Sequence, residues 1–173
     1  MNQYVIILAG GKGLRMGATV PKQFLEIKGK AIILHTLEKF KEALPLAELL
    51  LVLPKSEMPL WQEISGGTTV ENIKTTSGGD TRFESVKAGL RLIGSEGVVG
   101  VHDAVRPFVS IETIQAAFNT AESTGTAVPV VDLKDSIRKV NSDQSVTVNR
   151  SNLKIVQTPQ CFDVDILKKA YRQ

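Results

Sequence analysis

The chain opens with the apolar run Tyr4-Val5-Ile6-Ile7-Leu8-Ala9, which breaks directly into Gly10-Gly11. A continuously apolar, β-branched run of this kind is typical of a strand buried on both faces of a parallel sheet. Similar runs follow at Leu49 to Leu53 and at Val98 to Val101. Helical patterns separate the runs, so the sequence predicts an α/β fold with a mostly parallel sheet and helices on both faces. Ligands are then expected at the carboxyl ends of the strands.

Three helices are indicated by apolar spacing and by capping residues. The first ends ahead of Pro45, and its apolar residues lie three or four positions apart: Ile33, Leu37, Phe40 and Leu44. The second begins at a capping box made by Thr81 and Glu84. Its predicted apolar face carries Phe83, Val86 and Leu90. The third is capped by Ser110 and carries Ile111, Ile114 and Phe118.

A last strand and a hairpin are predicted after these helices. Ala127 to Val131 is apolar enough for a strand, although Pro129 interrupts it. The segment from Ser136 to Val148 is mostly polar and contains three valines and one isoleucine. Its centre is the turn-forming Asn141-Ser142-Asp143. A hairpin with so little apolar content is marginal alone in water. We therefore expect one domain, 1–173, in which residues 136–150 form an arm that packs on a partner subunit.

Composition excludes several classes of function. The 173 residues carry a net charge of only +3, so no broad cationic surface for nucleic acid is expected. The single cysteine, Cys161, cannot form an internal disulfide, and no apolar run is long enough for a membrane span. The sequence is therefore interpreted as a cytoplasmic protein without a nucleic-acid or membrane partner.

The glycine-rich loop after the first strand is the strongest functional signal. Gly10, Gly11 and Gly13 let main-chain N–H groups approach phosphate oxygens, while Arg15 and Lys22 add positive charge nearby. The pattern fits neither the dinucleotide fingerprint nor the P-loop. A tight turn beside two solvated surface cations is the structural alternative. We favour a cradle for a triphosphate.

Four motifs, taken together, resemble the 2-C-methyl-D-erythritol 4-phosphate cytidylyltransferase family of the non-mevalonate isoprenoid pathway. They span nearly the whole chain in the family's order: Ala9 to Met16 with Pro21-Lys22-Gln23, Gly78 to Val86, Val101 to Pro107, and Gln157 to Gln160. The resemblance implies a Rossmann-like nucleotidyltransferase domain that moves the cytidylyl group of CTP to 2-C-methyl-D-erythritol 4-phosphate. It also implies Mg²⁺ or another divalent cation, and a homodimer through the arm. A ribitol or other pentitol-phosphate cytidylyltransferase and a non-catalytic nucleotide-binding module are the alternatives.

The same resemblance implies where the nucleotide binds. Arg15 and Lys22 would contact CTP and stabilise the transition state, beside the glycines of the loop. The remaining nucleotide contacts would come from Gly79, Asp80, Ser85, Asp103 and Ala104. Asp103 would contact the ribose or assist the Mg²⁺ site. Helix capping by Asp80 or Thr81, and an ion pair between Asp103 and Arg106, are the structural alternatives.

The acceptor site is implied in the same way. Its residues would be Arg106, Ser136, Arg150 and Thr158, with Ser136 and Arg150 serving the neighbouring subunit and Arg150 acting in catalysis. An arginine paired within the arm is the alternative for Arg150. Members of the family continue past Gln173 with residues that position the acceptor, so we expect either that this chain is incomplete at its carboxyl end or that another segment completes the site. His35 and His102 are interpreted as structural residues.

Overall fold

The computed structural model describes residues 1–10 and 20–172. Its strands, in chain order, are β1 (Gln3–Leu8), β2 (Glu26–Ile27), β3 (Lys30–Ala31), β4 (Glu48–Leu53), β5 (Lys74–Ser77), β6 (Val98–Asp103), β7 (Thr126–Ala127), β8 (Val130–Asp132), β9 (Ile137–Val140), β10 (Ser145–Val148), β11 (Lys154–Val156) and β12 (Gln160–Asp163). Its α-helices are α1 (Ile32–Ala43), α2 (Met58–Ser65), α3 (Arg82–Leu90), α4 (Ile111–Thr124) and α5 (Val164–Ala170). Short 3-10 turns lie at Lys22–Phe24, Lys55–Glu57 and Arg150–Asn152.

The central sheet has the strand order β5-β4-β1-β6-β12-β7. The first four of these strands are parallel to one another. β12 runs antiparallel to both β6 and β7, so the sheet ends in an antiparallel edge. Val5, Ile6 and Ile7 are completely buried, which confirms the predicted two-sided burial of β1.

Helices cover both faces of this sheet, as predicted. On one face, Val5 and Ile7 pack in a core with Phe40 of α1, Trp61 of α2 and Phe118 of α4. On the other face, the core is formed by side chains of β1 together with α3 and α5: Tyr4, Ile6, Leu8, Val86, Leu90 and Leu167. Because the parallel strands end together, the carboxyl ends of β1 and β6 bring Leu8 and Asp103 into register.

Two of the predicted elements are wrong in detail. Residues 127–131 do not form one strand, because Pro129 lies between β7 of the central sheet and β8, which pairs with β11 in a separate sheet. Phe83 does not join the buried face of α3. It is 48% exposed, and its ring stacks on the Tyr171 ring with the centroids 4.5 Å apart.

The predicted arm is a two-stranded antiparallel hairpin of β9 and β10. Arg138 ties the two strands together by donating hydrogen bonds to Ser145 and Thr147. Val140 and Val146 are 72% and 56% exposed, so the arm has little core of its own. Dimerisation through residues 136–150 stays a prediction. Of the helices in residues 1–10 and 20–172, none has the length and apolar character that crossing a bilayer requires.

Candidate nucleotide-binding site

A cavity of about 280 Å³ opens at the carboxyl ends of β1 and β6. Five residues of the predicted nucleotide site line it: Gly10, Gly79, Asp80, Ser85 and Asp103. These residues come from three separate motifs, and the first and last of them, Gly10 and Asp103, are 93 positions apart in the chain. Gly11, Gly13 and Arg15 lie outside the described residues, so their positions stay predictions.

The start of α3 shapes the side of the cavity that carries Gly79. Thr81 Oγ1 accepts a hydrogen bond from the Glu84 N–H at 3.1 Å, and Glu84 Oε2 accepts one from the Thr81 N–H at 3.0 Å. This is the predicted capping box, and it makes Thr81, rather than Asp80, the N-cap. Asp80 is therefore left to face the cavity instead of capping the helix.

The turn before α3 lies too close to the helix for larger residues. A Cβ atom added to Gly79 would lie 2.4 Å from the Cβ of Glu84, and one added to Gly78 would lie 2.6 Å from Ser85 Oγ. Ser85 Oγ in turn donates a long hydrogen bond of 3.5 Å to the Gly79 carbonyl. Glycine is therefore needed here because the backbone of the turn runs directly over the first turn of α3.

Asp103 is held between two arginines. Arg106 Nε donates to its Oδ2 at 2.9 Å, and Arg82 Nη2 lies 3.4 Å from its Oδ1. The predicted pairing of Asp103 with Arg106 is thus present, and it leaves the carboxylate 29% exposed at the cavity. Arg82, the first residue of α3, lines the same cavity and was missed by the sequence prediction. Its place directly after the capping Thr81 is the signal that could have indicated a cation at this helix start.

His102 supports this arrangement from inside the protein. Its ring is completely buried and packs against Phe40, with the ring centroids 4.7 Å apart. Nε2 lies 3.1 Å from the Arg106 carbonyl, which can only accept, so Nε2 carries the proton. Burial lowers the pKa of His102 to about 4, against smaller opposing effects of the Arg106 carbonyl and Asp103. A neutral, structural histidine agrees with the prediction. His35 is also bonded within the fold, to the Ile27 carbonyl at 2.9 Å.

Lys22 lies beside the end of β1, in the 3-10 turn Lys22–Phe24. The next residue, Gln23, is 1% exposed, and its Nε2 donates to the Ala9 carbonyl at 2.7 Å. Ala9 directly precedes Gly10 of the cavity. The structure therefore brings Lys22 to the strand end where the glycine loop begins.

Ala104 is not among the described residues that line this cavity. Ala104 is buried, its N–H donates to the Leu8 carbonyl at 2.9 Å, and its carbonyl accepts from Thr36 Oγ1 at 2.7 Å. Both of its main-chain groups are thus bonded inside the fold. A nucleotide contact at Ala104 stays a prediction.

A second cavity, of about 570 Å³, adjoins the first. It is lined by Arg106, Gln157 and Thr158 together with apolar residues that include Phe108 and Val130. Arg106 Nη1 donates to Gln157 Oε1 at 3.1 Å. Thr158 is 8% exposed, and its Oγ1 has no hydrogen-bond partner among the described residues.

Ser136 and Arg150 do not join these residues within one chain. Both are exposed at the base of the arm, and neither is among the described residues that line the two cavities. Arg150 Nη1 donates to the Lys134 carbonyl. Lys134 precedes the arm, so this bond differs from the pairing within the arm that was considered as the alternative for Arg150, and the roles of Ser136 and Arg150 stay predictions.

A divalent cation would find few protein ligands here. The described residues contain no group of three or more His, Cys, Asp or Glu side chains that could hold a metal ion. Asp103 is one carboxylate at the cavity, and both of its oxygens already face arginines. Such a donor set fits Mg²⁺ only in the way common for nucleotide enzymes, with one or two carboxylates completing a shell of phosphates and water.

Comparisons with known proteins agree with the geometry. The family model described as 2-C-methyl-D-erythritol 4-phosphate cytidylyltransferase matches residues 3–173. A protein of that name from Bacteroides thetaiotaomicron is 46% identical over 175 residues, which cover 100% of this chain and 80% of the relative. One from Porphyromonas gingivalis is 42% identical, covering 99% of this chain and 77% of the relative.

Solved structures give the same result. The 4-diphosphocytidyl-2C-methyl-D-erythritol synthase of Anaerococcus prevotii superposes with a TM-score of 0.83 at 28% identity, covering 99% of this chain and 74% of that one. The 2-C-methyl-D-erythritol 4-phosphate cytidylyltransferase of Francisella tularensis superposes with a TM-score of 0.80 at 31% identity, covering 99% and 77%. The chain therefore belongs to the 2-C-methyl-D-erythritol 4-phosphate cytidylyltransferase family.

Proposed function

We propose that this protein transfers the cytidylyl group of CTP to 2-C-methyl-D-erythritol 4-phosphate, giving 4-diphosphocytidyl-2-C-methyl-D-erythritol and pyrophosphate. Membership of the family supports the reaction. The observation that carries it is the single cavity where Gly10, Gly79, Asp80, Ser85 and Asp103 meet beside the Lys22 turn. We place the reaction in the cytoplasm, where CTP is available.

The reaction needs charge stabilisation more than acid–base chemistry. A phosphate oxygen of the acceptor attacks the α-phosphorus of CTP, the new P–O bond forms, and the bond to the departing pyrophosphate breaks. The attacking phosphate is already ionised near neutral pH, so no general base is required. Negative charge grows on the leaving pyrophosphate and the α-phosphate oxygens, and pre-placed cations stabilise it. Lys22 is the described residue that we assign to this role, and Arg15 is its predicted companion.

Nucleotide recognition is assigned to the first cavity. The main chain at Gly10 and Gly79, free of side chains, lets the nucleotide approach closely. Ser85 Oγ and the Asp80 carboxylate supply the hydrogen-bonding groups that can distinguish one base from another. Asp103, with Ala104 beside it, is assigned to the ribose. In this proposal Arg82 and Arg106 keep Asp103 oriented and lower the cost of its charge.

Mg²⁺ belongs to the proposal as the partner of the triphosphate. When bound, it would neutralise phosphate charge, and of the two carboxylates that line the cavity, Asp80 and Asp103, we assign Asp103 to face it. The two arginines on Asp103 make a water-mediated contact more favourable than direct ligation, because direct ligation would have to displace an ion pair.

The second cavity is assigned to the acceptor. Its Arg106 is a guanidinium suited to a phosphate or polyol, and the Thr158 hydroxyl, which has no hydrogen-bond partner among the described residues, can offer a further hydrogen bond. Ser136 and Arg150 are proposed to complete this site from a second copy of the chain, so that the active form is a homodimer. The exposed apolar residues around the cavity and on the arm support an interface here, among them Phe108, 88% exposed, and Val140, 72% exposed.

Pyrophosphate release by the full-length protein tests the proposal. CTP, Mg²⁺ and 2-C-methyl-D-erythritol 4-phosphate should give turnover, while ribitol 5-phosphate in place of this acceptor should give little. Preferred turnover of ribitol 5-phosphate would assign the protein to the pentitol-phosphate alternative. Tight CTP binding without turnover of either acceptor would identify a non-catalytic nucleotide-binding module.

A further inference from the structure

Gln23 is a buried polar residue whose donor group is fully used. Its side chain is 1% exposed. Nε2 donates to the Ala9 carbonyl at 2.7 Å and to Glu57 Oε2 at 2.6 Å. A side-chain amide carries two N–H donors, so these two bonds use both.

The two acceptors follow the carboxyl ends of two different central strands. Ala9 follows the end of β1, and its own N–H donates to the Val52 carbonyl of β4 at 2.8 Å. Glu57 lies in the 3-10 turn that follows β4. Gln23 thus holds the 3-10 turn Lys22–Phe24 against the carboxyl ends of both strands, next to the nucleotide cavity.

This segment includes Lys22, whose backbone has little freedom to move separately. The Phe24 N–H donates to the Pro21 carbonyl at 2.9 Å, and the Leu25 N–H donates to the Lys22 carbonyl at 3.2 Å. Phe24 is 6% exposed and packs in the larger core. The tight turn therefore transmits the position of the Gln23 amide to the Cα of Lys22.

Burying an amide in this place is costly unless its polar atoms are hydrogen-bonded. A methionine has similar length and would need no hydrogen-bond partners, whereas the amide must keep both of its partners to offset its desolvation. The bond to Glu57 involves a carboxylate whose pKa is raised chiefly by burial, while the Gln23 bond opposes that rise.

We infer that Gln23 is the positioning residue for Lys22, because its bonds to Ala9 and Glu57 fix the Lys22 turn against the ends of β1 and β4. The inference rests on the proposed role of Lys22 at the α-phosphate. Gln23 itself touches no substrate in this scheme. It acts by fixing the position of the Lys22 Cα, from which the lysine side chain extends.

A double-mutant cycle in the full-length enzyme tests the inference. We expect Gln23→Met to lower kcat by about 10-fold or more with less than about a threefold change in the KM for CTP, because small displacements of a catalytic group lower the rate steeply. In a Lys22→Ala background, the same Gln23→Met substitution should change kcat by less than about twofold, since the group that it positions is already absent.

Gln115→Met is a control for the same substitution away from the nucleotide cavity. Gln115 is another glutamine whose Nε2 donates to a main-chain carbonyl, that of Ala43 at 3.0 Å, but it joins α4 to α1. It should lower the melting temperature without slowing turnover. If Gln23→Met fails to fold, Glu57→Met removes one of the two acceptors at a partly exposed position and should show the same coupling to Lys22.

The outcomes separate the inference from the proposed function. If Lys22→Ala alone leaves kcat unchanged, the proposed role of Lys22 fails. If Lys22→Ala is slow and Gln23→Met or Glu57→Met slows both backgrounds by the same factor, Gln23 is merely structural and the inference is overturned.

Discussion

Asp103 and Arg106 form an ion pair, with Arg106 Nε 2.9 Å from Asp103 Oδ2, that lies between the proposed nucleotide cavity and the proposed acceptor cavity. Asp103 lines the proposed nucleotide cavity, and Arg106 lines the proposed acceptor cavity. The turn after β6 brings the two side chains together, because His102 Nε2 donates to the Arg106 carbonyl and closes this turn. Binding of one substrate is therefore expected to affect binding of the other through the ion pair of Asp103 and Arg106.

Arg106→Gln should separate the effects on the two substrates. We expect the KM for the acceptor to rise about 10-fold or more, because a charge-assisted contact is lost, while the KM for CTP stays within about threefold, because Arg82 still pairs with Asp103. Stability should change little, since the Arg106 side chain is 47% exposed and exposed pairs contribute weakly. Steady-state kinetics with each substrate varied in turn provide the measurement. A selective rise in the KM for CTP would move Arg106 to the nucleotide site.

Gly79→Ala should damage both helix α3 and nucleotide binding. The new Cβ would lie 2.4 Å from the Glu84 Cβ and 2.9 Å from Glu84 Oε2, so the capping box must open. We expect a loss of about 1–2 kcal/mol in unfolding free energy together with a raised KM for CTP. Gly66→Ala is the control, because its Cβ would meet only ordinary contacts, the shortest at 3.5 Å. Equal effects of the two substitutions on CTP binding would refute a special role for the Gly79 turn.

His102 should make the folded protein sensitive to mild acid. Its pKa is lowered from 6.5 to about 4, so between these values the folded state binds fewer protons than the unfolded chain. The free energy of unfolding should therefore fall as pH decreases across this window, by a contribution on the order of 3 kcal/mol. Above pH 6.5, the contribution of His102 to the free energy of unfolding is fully present.

Urea unfolding of the metal-free, nucleotide-free protein checks this prediction. His102→Gln removes the titrating ring, so its stability should vary less between about pH 7 and about pH 5 than that of the parent protein. The comparison cancels other groups, among them Glu57, whose pKa burial raises. Parallel pH profiles for the two proteins would show that His102 does not carry the effect.

The arm should control assembly. We expect the double substitution Val140→Ser with Val146→Ser to shift the protein from dimer to monomer in sedimentation, because it removes the most exposed apolar side chains of the hairpin. Turnover should fall with the dimer, since Ser136 and Arg150 would no longer reach the neighbouring site. Ile166→Ser, at a 47% exposed position on α5, should leave assembly unchanged. A parent protein that sediments as a monomer would refute the dimer itself.

The central architecture could be predicted because its signals are local. The central parts of β1, β4 and β6 are apolar runs because they are buried on both faces, and the pair Thr81 and Glu84 indicates the start of α3 within four residues. By contrast, β5 is the polar edge strand Lys74–Ser77, which needs no apolar pattern because it is largely exposed. Its existence depends on pairing with β4.

The missed features depend on contacts that are distant in the chain. Phe83 looked like a core residue, but its partner is Tyr171, which no local pattern identifies. Arg82 joins the site through Asp103, 21 residues away. Gln23 is buried because Ala9 and Glu57 accept its hydrogens, and a glutamine in a sequence gives no sign of such partners. Side-chain pairing of this kind becomes visible only once the strands are assembled.

The turnover number of Lys22→Ala tests the central claim most directly. If Lys22 stabilises charge at the α-phosphate, kcat at saturating CTP and acceptor should fall by about 100-fold or more, as for loss of one preorganised transition-state donor. Lys28→Ala, at an exposed turn between β2 and β3, should keep the parental rate. A Lys22→Ala enzyme with unchanged kcat would contradict the account, because Lys22 would then be only a surface cation.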